Sequence, residues 1–394
     1  MVAVSVSPSG LVVLKRALLL LSVICASYFL VTLLLAKPAA PKTKARSARS
    51  FDSNLSPSGF NVSTEYWEAL LSDSFAAGEL TDELNETSWG GWNGSSLSRT
   101  APELPLCPQT PPGLRGQLKQ SVLLIENLKE SDISVEFPDL LPGGRWQPTH
   151  CRARHKIAII IPFRDRKSHL NRLIVYLTGM LQRQLLDFRF IVTEQYGHGL
   201  FNKGRIMNAA FLIAEHLGVD CVIFHDVDLF PQDDRNSYGC YAEPMHLGAY
   251  VSTLGYELWY DYIAGGVLSV RVEHFRQING YSNMYWAWGG EDDDMGYRIL
   301  ANNFTLLRPD PLQGRYTMLR HQKRSRMAPT VIRDLLDSAK KRWRVDGVNS
   351  RHWALLKVLK KPLFYHMFVD VGQPPPEWLA SNSPQQQQQH KKAH

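Results

Sequence analysis

Three observations predict an α/β fold built on a parallel sheet. Ile157 to Phe163 (IAIIIPF) is a continuous apolar run of strand length, the pattern of a strand buried on both faces. Stretches with helical spacing then alternate with further strand-like runs. The third such run leads directly into the charged HDVDLF. A βαβαβ alternation of this kind folds as parallel strands joined by crossover helices.

The elements follow in order. Ser168 to Leu186 carries Leu170, Leu173, Ile174 and Leu177 at helical spacing. Phe188 to Val192 is strand-like. Asn208 to Leu217 reads as a helix closed by Gly218, and Cys221 to Phe224 as a strand. In such sheets ligands bind beyond the carboxyl ends of the strands. Two charged motifs sit there: FRDR after the first strand and DVD after the third.

The chain has 394 residues, 44% apolar and 21% charged, enough for one large domain or two with flanking segments. Its net charge of +7 and pI near 9.1 suit anionic partners such as phosphates; no nucleic-acid partner is expected. Ala17 to Ala36 is an uncharged run of 20, long enough to cross a bilayer. A signal-peptide core is shorter and ends in a small-residue cleavage site, which Ala36-Lys37-Pro38 does not supply. Residues 1–16 are then a short cytoplasmic tail and 17–36 a retained anchor. Residues 37–105, rich in Pro, Ser, Asn and Gly, form a stem; 106–378 is the globular domain and 379–394 a Gln-rich tail.

The positive-inside rule points the other way, because five Lys and Arg follow the span within residues 37–49 and only Lys15 and Arg16 precede it. Two features outweigh it. Asn-x-Ser/Thr sequons stand at Asn54, Asn61, Asn85, Asn93 and Asn303, and they are used only in the secretory lumen. Outside the span remain Cys107, Cys151, Cys221 and Cys240, an even number that fits two disulfides or, alternatively, four buried thiols.

Asp226-Val227-Asp228 ends a strand, and alternation predicts both carboxylates on one side with Val227 toward the core. Two hard oxygen ligands at a strand end suit Mn²⁺ or Mg²⁺, though DxD also occurs in ordinary turns. Arg164 and Arg166 carry forks that pair with phosphate or carboxylate. Asn202-Lys203-Gly204-Arg205, placed before a helix, offers amides and cations to a phosphate or nucleotide. In WAWGGEDDD (Trp286 to Asp294), two glycines break the chain and four acids open a helix. The helix dipole accounts for one or two of these acids. Four beside two tryptophans suit a sugar site, where rings pack on C–H groups and a crowded carboxylate gains basicity. Met318 and His321 share the i, i+3 spacing; the histidine is a metal candidate, while a soft thioether reads as core.

Together FRDR, FNKGR (Phe201 to Arg205), HDVDL, GGVLS (Gly265 to Ser269), WAWGGEDDD and MLRH (Met318 to His321) resemble, in order and spacing, the β1,4-galactosyltransferase family of Golgi glycosyltransferases. The resemblance runs from about Cys107 to Val371. It implies a type II membrane protein whose GT-A-type (Rossmann-like) nucleotide-sugar transferase domain lies behind a single N-terminal transmembrane helix. It implies inverting, Mn²⁺-dependent transfer from a UDP-sugar to the 4-hydroxyl of a terminal β-linked GlcNAc. Asp228, Met318 and His321 would ligate the metal, which rescues Met318 from the core. Asp292 would be the general base, helped by Glu291. Phe163, Arg164, Arg166, Phe201, Lys203, Asp226, Val227, Ile263, Gly266 and Trp288 would line the donor site. Tyr260, Trp288, Gly290, Glu291, Asp292 and Arg333 would meet the acceptor. The implied disulfides are Cys107–Cys151 and Cys221–Cys240. The Trp288 loop and the Gln322-to-Ser338 segment would close over the substrates. A homodimer or a helper protein stays open.

Three departures from the family pattern stand out. FNKG replaces the usual FNRA, Ala287 replaces Gly between the tryptophans, and Ile263 stands where galactose-transferring members carry Tyr. Ile lacks the phenol that crowds an N-acetyl group at C2 of the donor sugar. UDP-GalNAc is therefore the expected donor, with the invertebrate-type β1,4-N-acetylgalactosaminyltransferases as the branch most resembled. UDP-Gal transfer and a membrane-anchored sugar-binding or inactive partner are the competing readings.

Overall fold

The computed structural model describes residues 104–320, 325–376 and Trp378. The expected anchor, most of the stem, the C-terminal tail, His321 and the sequons at Asn54, Asn61, Asn85 and Asn93 lie outside the described residues. Among the described residues no helix is long and apolar enough to cross a membrane.

In chain order the elements are α1 (Glu130–Glu136), β1 (Lys156–Phe163), α2 (Lys167–Arg183), β2 (Asp187–Gln195), α3 (Lys203–His216), β3 (Cys221–His225), β4 (Leu229–Pro231), β5 (Met245–His246) and β6 (Tyr250–Val251). They continue with β7 (Val267–Arg271), α4 (Val272–Gln277), α5 (Glu291–Ala301), β8 (Arg315–Met318), α6 (Pro329–Arg342), β9 (Ala354–Lys360) and β10 (Tyr365–Asp370).

The main sheet has the order β5-β7-β3-β1-β2-β10-β9. Its centre, β3-β1-β2-β10, is parallel as predicted. β7 and β9 run antiparallel to this centre, and the edge strand β5 pairs antiparallel with β7, so the sheet is mixed. β1 is buried on both faces, and its alternation divides the core. Ile157, Ile159 and Ile161 join the cluster that contains the apolar stripe of α2, while Ala158 and Ile160 join the one built on α3. Each face of the strand needs a covering layer, which is why the whole run is apolar.

α3 begins five residues before the predicted Asn208. The Asn202 side chain accepts a 3.0 Å hydrogen bond from the Arg205 amide and caps the helix there, which places Lys203 and Gly204 in its first turn. Gly218 ends the segment at φ +63°, as a C-terminal glycine does. A second sheet, β4-β8-β6, lies where the chain leaves β3. Both implied disulfides, Cys107–Cys151 and Cys221–Cys240, are formed.

Candidate active site

Because β1, β2 and β3 are parallel, the segments that follow them leave from one edge of the sheet. Phe163 ends β1. Arg164 donates to the Gly199 carbonyl at 2.7 Å and lies 5.0 Å from the Phe201 ring, so the first and second of these segments are joined. Arg166 reaches to the third and donates to Asp228 Oδ2 at 2.8 Å.

Asp226-Val227-Asp228 is not a strand end. β3 stops at His225, and the motif turns, with the Leu229 amide bonded back to the Asp226 carbonyl at 3.3 Å. The two carboxylates therefore do not share a face by strand alternation. Asp226 pairs with Lys203 at 2.7 Å, and the buried Asp228 pairs with Arg166. Val227 does point into the core.

The acid-rich helix approaches this turn from the other side. Gly289 and Gly290 have φ of +105° and +97°, and all four acids fall in the first turn of α5. They have separate tasks. Glu291 is buried, with its carboxylate 3.6 Å from Lys203 Nζ. Burial, reinforced by the Asp292 charge and opposed by Lys203, pushes the Glu291 pKa up to about 7. Lys203 is half-buried, and desolvation alone would lower its pKa; the carboxylates of Asp226, Glu291 and Asp292 reverse that and raise it. Lys203 thus joins the Asp226 turn to the acid helix. Asp293 accepts a 2.6 Å bond from the Tyr260 hydroxyl, and its own pKa is raised by burial and by Asp292. Asp294 is structural: Arg298, Arg342 and Tyr285 hold it at 2.5, 2.6 and 3.0 Å.

Asp292 completes the site. A cavity at the sheet edge is lined by Lys203, Met207, Phe224, Asp226, Ala264, Gly265, Gly266, Leu268, Tyr281 and Asp292. A Cβ on Gly265 would come within 2.3 Å of Asp292 Oδ2, so only glycine lets the carboxylate lie against this backbone. Gly266 has φ +84°, and a Cβ there would meet Leu229 at 2.6 Å. Gly265 and Tyr281 were missed as site residues in the sequence. The GG pair of GGVLS was the available signal for the first; nothing local marks the second.

The tryptophans also divide. Trp286 is buried beneath the Arg205 guanidinium, 4.7 Å from its ring. Trp288 is 53% exposed, stacks with Arg326 at 4.4 Å and donates its amide to Ser325 at 3.0 Å. Between them Ala287 sits at φ +64°, a left-handed conformation that costs a residue with a Cβ roughly 1 kcal/mol or more. Gly204, the other local departure, also has a physical account, because a Cβ there would lie 2.2 Å from the Ser282 carbonyl oxygen.

Ile263 is half-buried beside cavity-lining Ala264, and its carbonyl accepts from Arg308 at 3.3 Å. Arg333 lies on the exposed side of α6, next in sequence to Ile332, which packs against Gly290. Met318 pairs across strands with Leu229, and the Leu319 amide donates to the Asp228 carbonyl at 2.9 Å. Two of the three expected metal ligands are therefore neighbours, and the thioether is outside the core interior. Among the described residues no group of three His, Cys, Asp or Glu forms a metal site; His321 lies outside them. One buried carboxylate beside one thioether is an incomplete ligand set, to which the expected His321 would add a nitrogen.

The mixed α/β sheet, with a turn after β3 and an acid-led helix meeting beside one edge, resembles the GT-A glycosyltransferases. Residues 107–241 match the N-terminal region of glycosyl transferase group 7, and residues 245–322 match the N-terminal domain of galactosyltransferase. Mouse β-1,4-galactosyltransferase 2 is 39% identical over 283 residues, 71% of this chain and 76% of its own length. Human β-1,4-galactosyltransferase 1 is 37% identical over 280 residues, 70% of this chain and 69% of its own. Among solved structures, the catalytic domain of Drosophila β1,4-galactosyltransferase 7 with xylobiose superimposes with a TM-score of 0.51 at 28% identity. It covers 58% of this chain and 99% of that one. A mutant of the Drosophila enzyme, in complex with manganese, UDP-Gal and xylobiose, has a TM-score of 0.50 at 27% identity, covering 57% and 98%. The chain belongs to the β1,4-galactosyltransferase family.

Proposed function

We propose that this chain moves GalNAc from UDP-GalNAc to the 4-hydroxyl of a terminal β-linked GlcNAc, with Mn²⁺, giving GalNAcβ1,4GlcNAc on glycoproteins or glycolipids. The observation that carries the reading is the meeting of Asp226, Gly265 and Asp292 around one cavity, which sets a phosphate-side turn opposite a half-buried carboxylate.

Asp228, Met318 and His321 are the residues that would hold Mn²⁺, which when bound neutralises charge on the departing UDP. The family precedent is the Drosophila complex with manganese and UDP-Gal. Arg164 and Arg166 offer their forks to the diphosphate. Asp292 takes the proton of the acceptor 4-hydroxyl as that oxygen attacks C1 from the face opposite UDP. One displacement inverts the centre, and no covalent nucleophile is needed. Glu291 accepts an acceptor hydroxyl, and Tyr260, Trp288, Gly290 and Arg333 hold the sugar around it. Ile263 leaves room for the acetyl methyl.

UDP-Gal is the competing donor, favoured by the names of the relatives. A purely sugar-binding role is disfavoured by the presence of Asp228, His321, Glu291 and Asp292 together. Full-length protein with Mn²⁺ and a β-GlcNAc acceptor is to be assayed with both donors. GalNAc transfer in excess is expected, and Ile263→Tyr should turn the preference toward galactose by tenfold or so, on the order of the discrimination one pocket group provides. Preference for UDP-Gal in the unaltered protein sinks the donor assignment. Transfer of neither sugar sinks the transferase reading.

A Golgi location, with the catalytic domain lumenal behind the 17–36 anchor, is part of this proposal. The two disulfides support it, and so does the exposed Asn303 of the fifth sequon.

A further inference from the structure

Behind the Asp226–Asp228 turn lies a buried polar file that sugar transfer does not use directly. His225 Nδ1 is 2.9 Å from the Asp226 carbonyl, and Nε2 is 2.9 Å from the Tyr238 hydroxyl. That hydroxyl is 2.9 Å from the Tyr316 hydroxyl, to which Asn236 Nδ2 donates at 3.3 Å. All four side chains are buried.

The direction of every bond follows from the ends. A carbonyl only accepts, so His225 carries its proton on Nδ1. A neutral imidazole then accepts at Nε2, which makes Tyr238 the donor to it. Tyr238 has spent its one proton and accepts from Tyr316, which in turn accepts from Asn236. The file runs one way, from Asn236 through Tyr316 of β8 to the carbonyl of Asp226. Its ends matter: Tyr316 stands two residues before Met318, and Asp226 two before Asp228. The same Asp226 carbonyl takes the Leu229 amide that closes the turn.

We propose that His225, Tyr238 and Tyr316 are positioning residues whose hydrogen-bonded file holds the Asp226–Asp228 turn against β8, setting the distance between Asp228 and Met318. The inference rests on the metal-site reading above for its consequence, though not for its geometry.

The test uses full-length protein and two readouts. The first is amide exchange of the turn without metal; the second is Mn²⁺ affinity, followed by the electron paramagnetic resonance of free Mn²⁺. Tyr238→Phe keeps the ring, removes the donor to His225 and leaves a buried acceptor unmade, so about tenfold faster exchange at Leu229 and about tenfold weaker Mn²⁺ binding are expected. Tyr241→Phe is the control, since its hydroxyl bonds the Ser237 carbonyl at 2.6 Å in the same loop but outside the file. It should change neither readout. Wild-type exchange at Leu229 in Tyr238→Phe, or equal loosening in Tyr241→Phe, overturns the proposal. Failure of the unaltered protein to bind Mn²⁺ overturns the metal reading alone, because the exchange result stands without metal. Should Tyr238→Phe not fold, Tyr316→Phe removes the next donor, and about threefold changes in both readouts are expected. Their absence there overturns the proposal equally.

Discussion

Two adjacent acids of α5 are set apart by what surrounds them. Asp292 is half-buried against the Gly265 backbone and faces the cavity, whereas Glu291 is buried beside Lys203. Replacing Asp292 by Asn keeps the shape and removes the base, so turnover should fall by about 10²–10⁴-fold while acceptor binding stays. Near-normal turnover with bound acceptor sinks that role. Glu291 is expected to report itself through pH. Its folded pKa, about 7, lies above the ordinary 4.5, so the folded chain holds this proton more tightly than the unfolded chain does. Stability from this group is fully present below about pH 4.5 and is lost as pH rises to about 7. Glu291→Gln lacks that titration. Its Tm relative to the unaltered protein should therefore climb between about pH 5 and about pH 8. A constant difference across that range contradicts the raised pKa.

At the scale of elements, α5 and α6 are clamped through charge. Asp294 is shared by Arg298 of its own helix and Arg342 of α6, and Arg298 and Arg342 also pair with Asp346. Removing one charge from a buried group of this kind leaves its partners uncompensated and costs about 3–5 kcal/mol. Asp294→Asn is expected to unfold several degrees lower in a calorimetric scan; an unchanged Tm would show that the clamp adds nothing. The sequence assigned one or two of the four acids to the helix start but could not single out Asp294, because Arg342 and Asp346 are some fifty residues away. Legibility throughout followed locality. β1, α2, β3 and the acid-led start of α5 carry their signals within a few residues and were readable. The turn at Asp226 was misread as strand because DVD fits a period of two equally well. The start of α3 was placed late because FNKGR looks like a loop until Asn202 is seen capping it. β10 was not anticipated at all. It enters beside β2 from 170 residues downstream, as Glu194 faces Phe368 and bonds His366 at 2.7 Å, and no local pattern announces that.

At the scale of the whole molecule, the two disulfides sit at the same end of the sheet yet should differ in consequence. Both anchor at the amino-terminal side of the central strands: Cys151 lies just before β1, and Cys221 opens β3. The ligand edge is at the other end, roughly 25 Å along β1 at the usual rise per residue. Cys107–Cys151 ties the segment before α1 to this far side. Cys221–Cys240 instead closes the loop that carries Tyr238, whose hydroxyl bonds His225 directly behind the Asp226 turn. Replacing either pair with alanines should lower stability by about 2–4 kcal/mol, chiefly by freeing the unfolded chain. Only the second replacement should also weaken Mn²⁺ binding, because only there does the freed loop belong to the file that fixes the turn. Thermal unfolding and Mn²⁺ titration of Cys107→Ala/Cys151→Ala beside Cys221→Ala/Cys240→Ala make the comparison. Equal Mn²⁺ affinity in the two would mean that the covalent bridge and the hydrogen-bonded file act independently, with the file alone holding the turn.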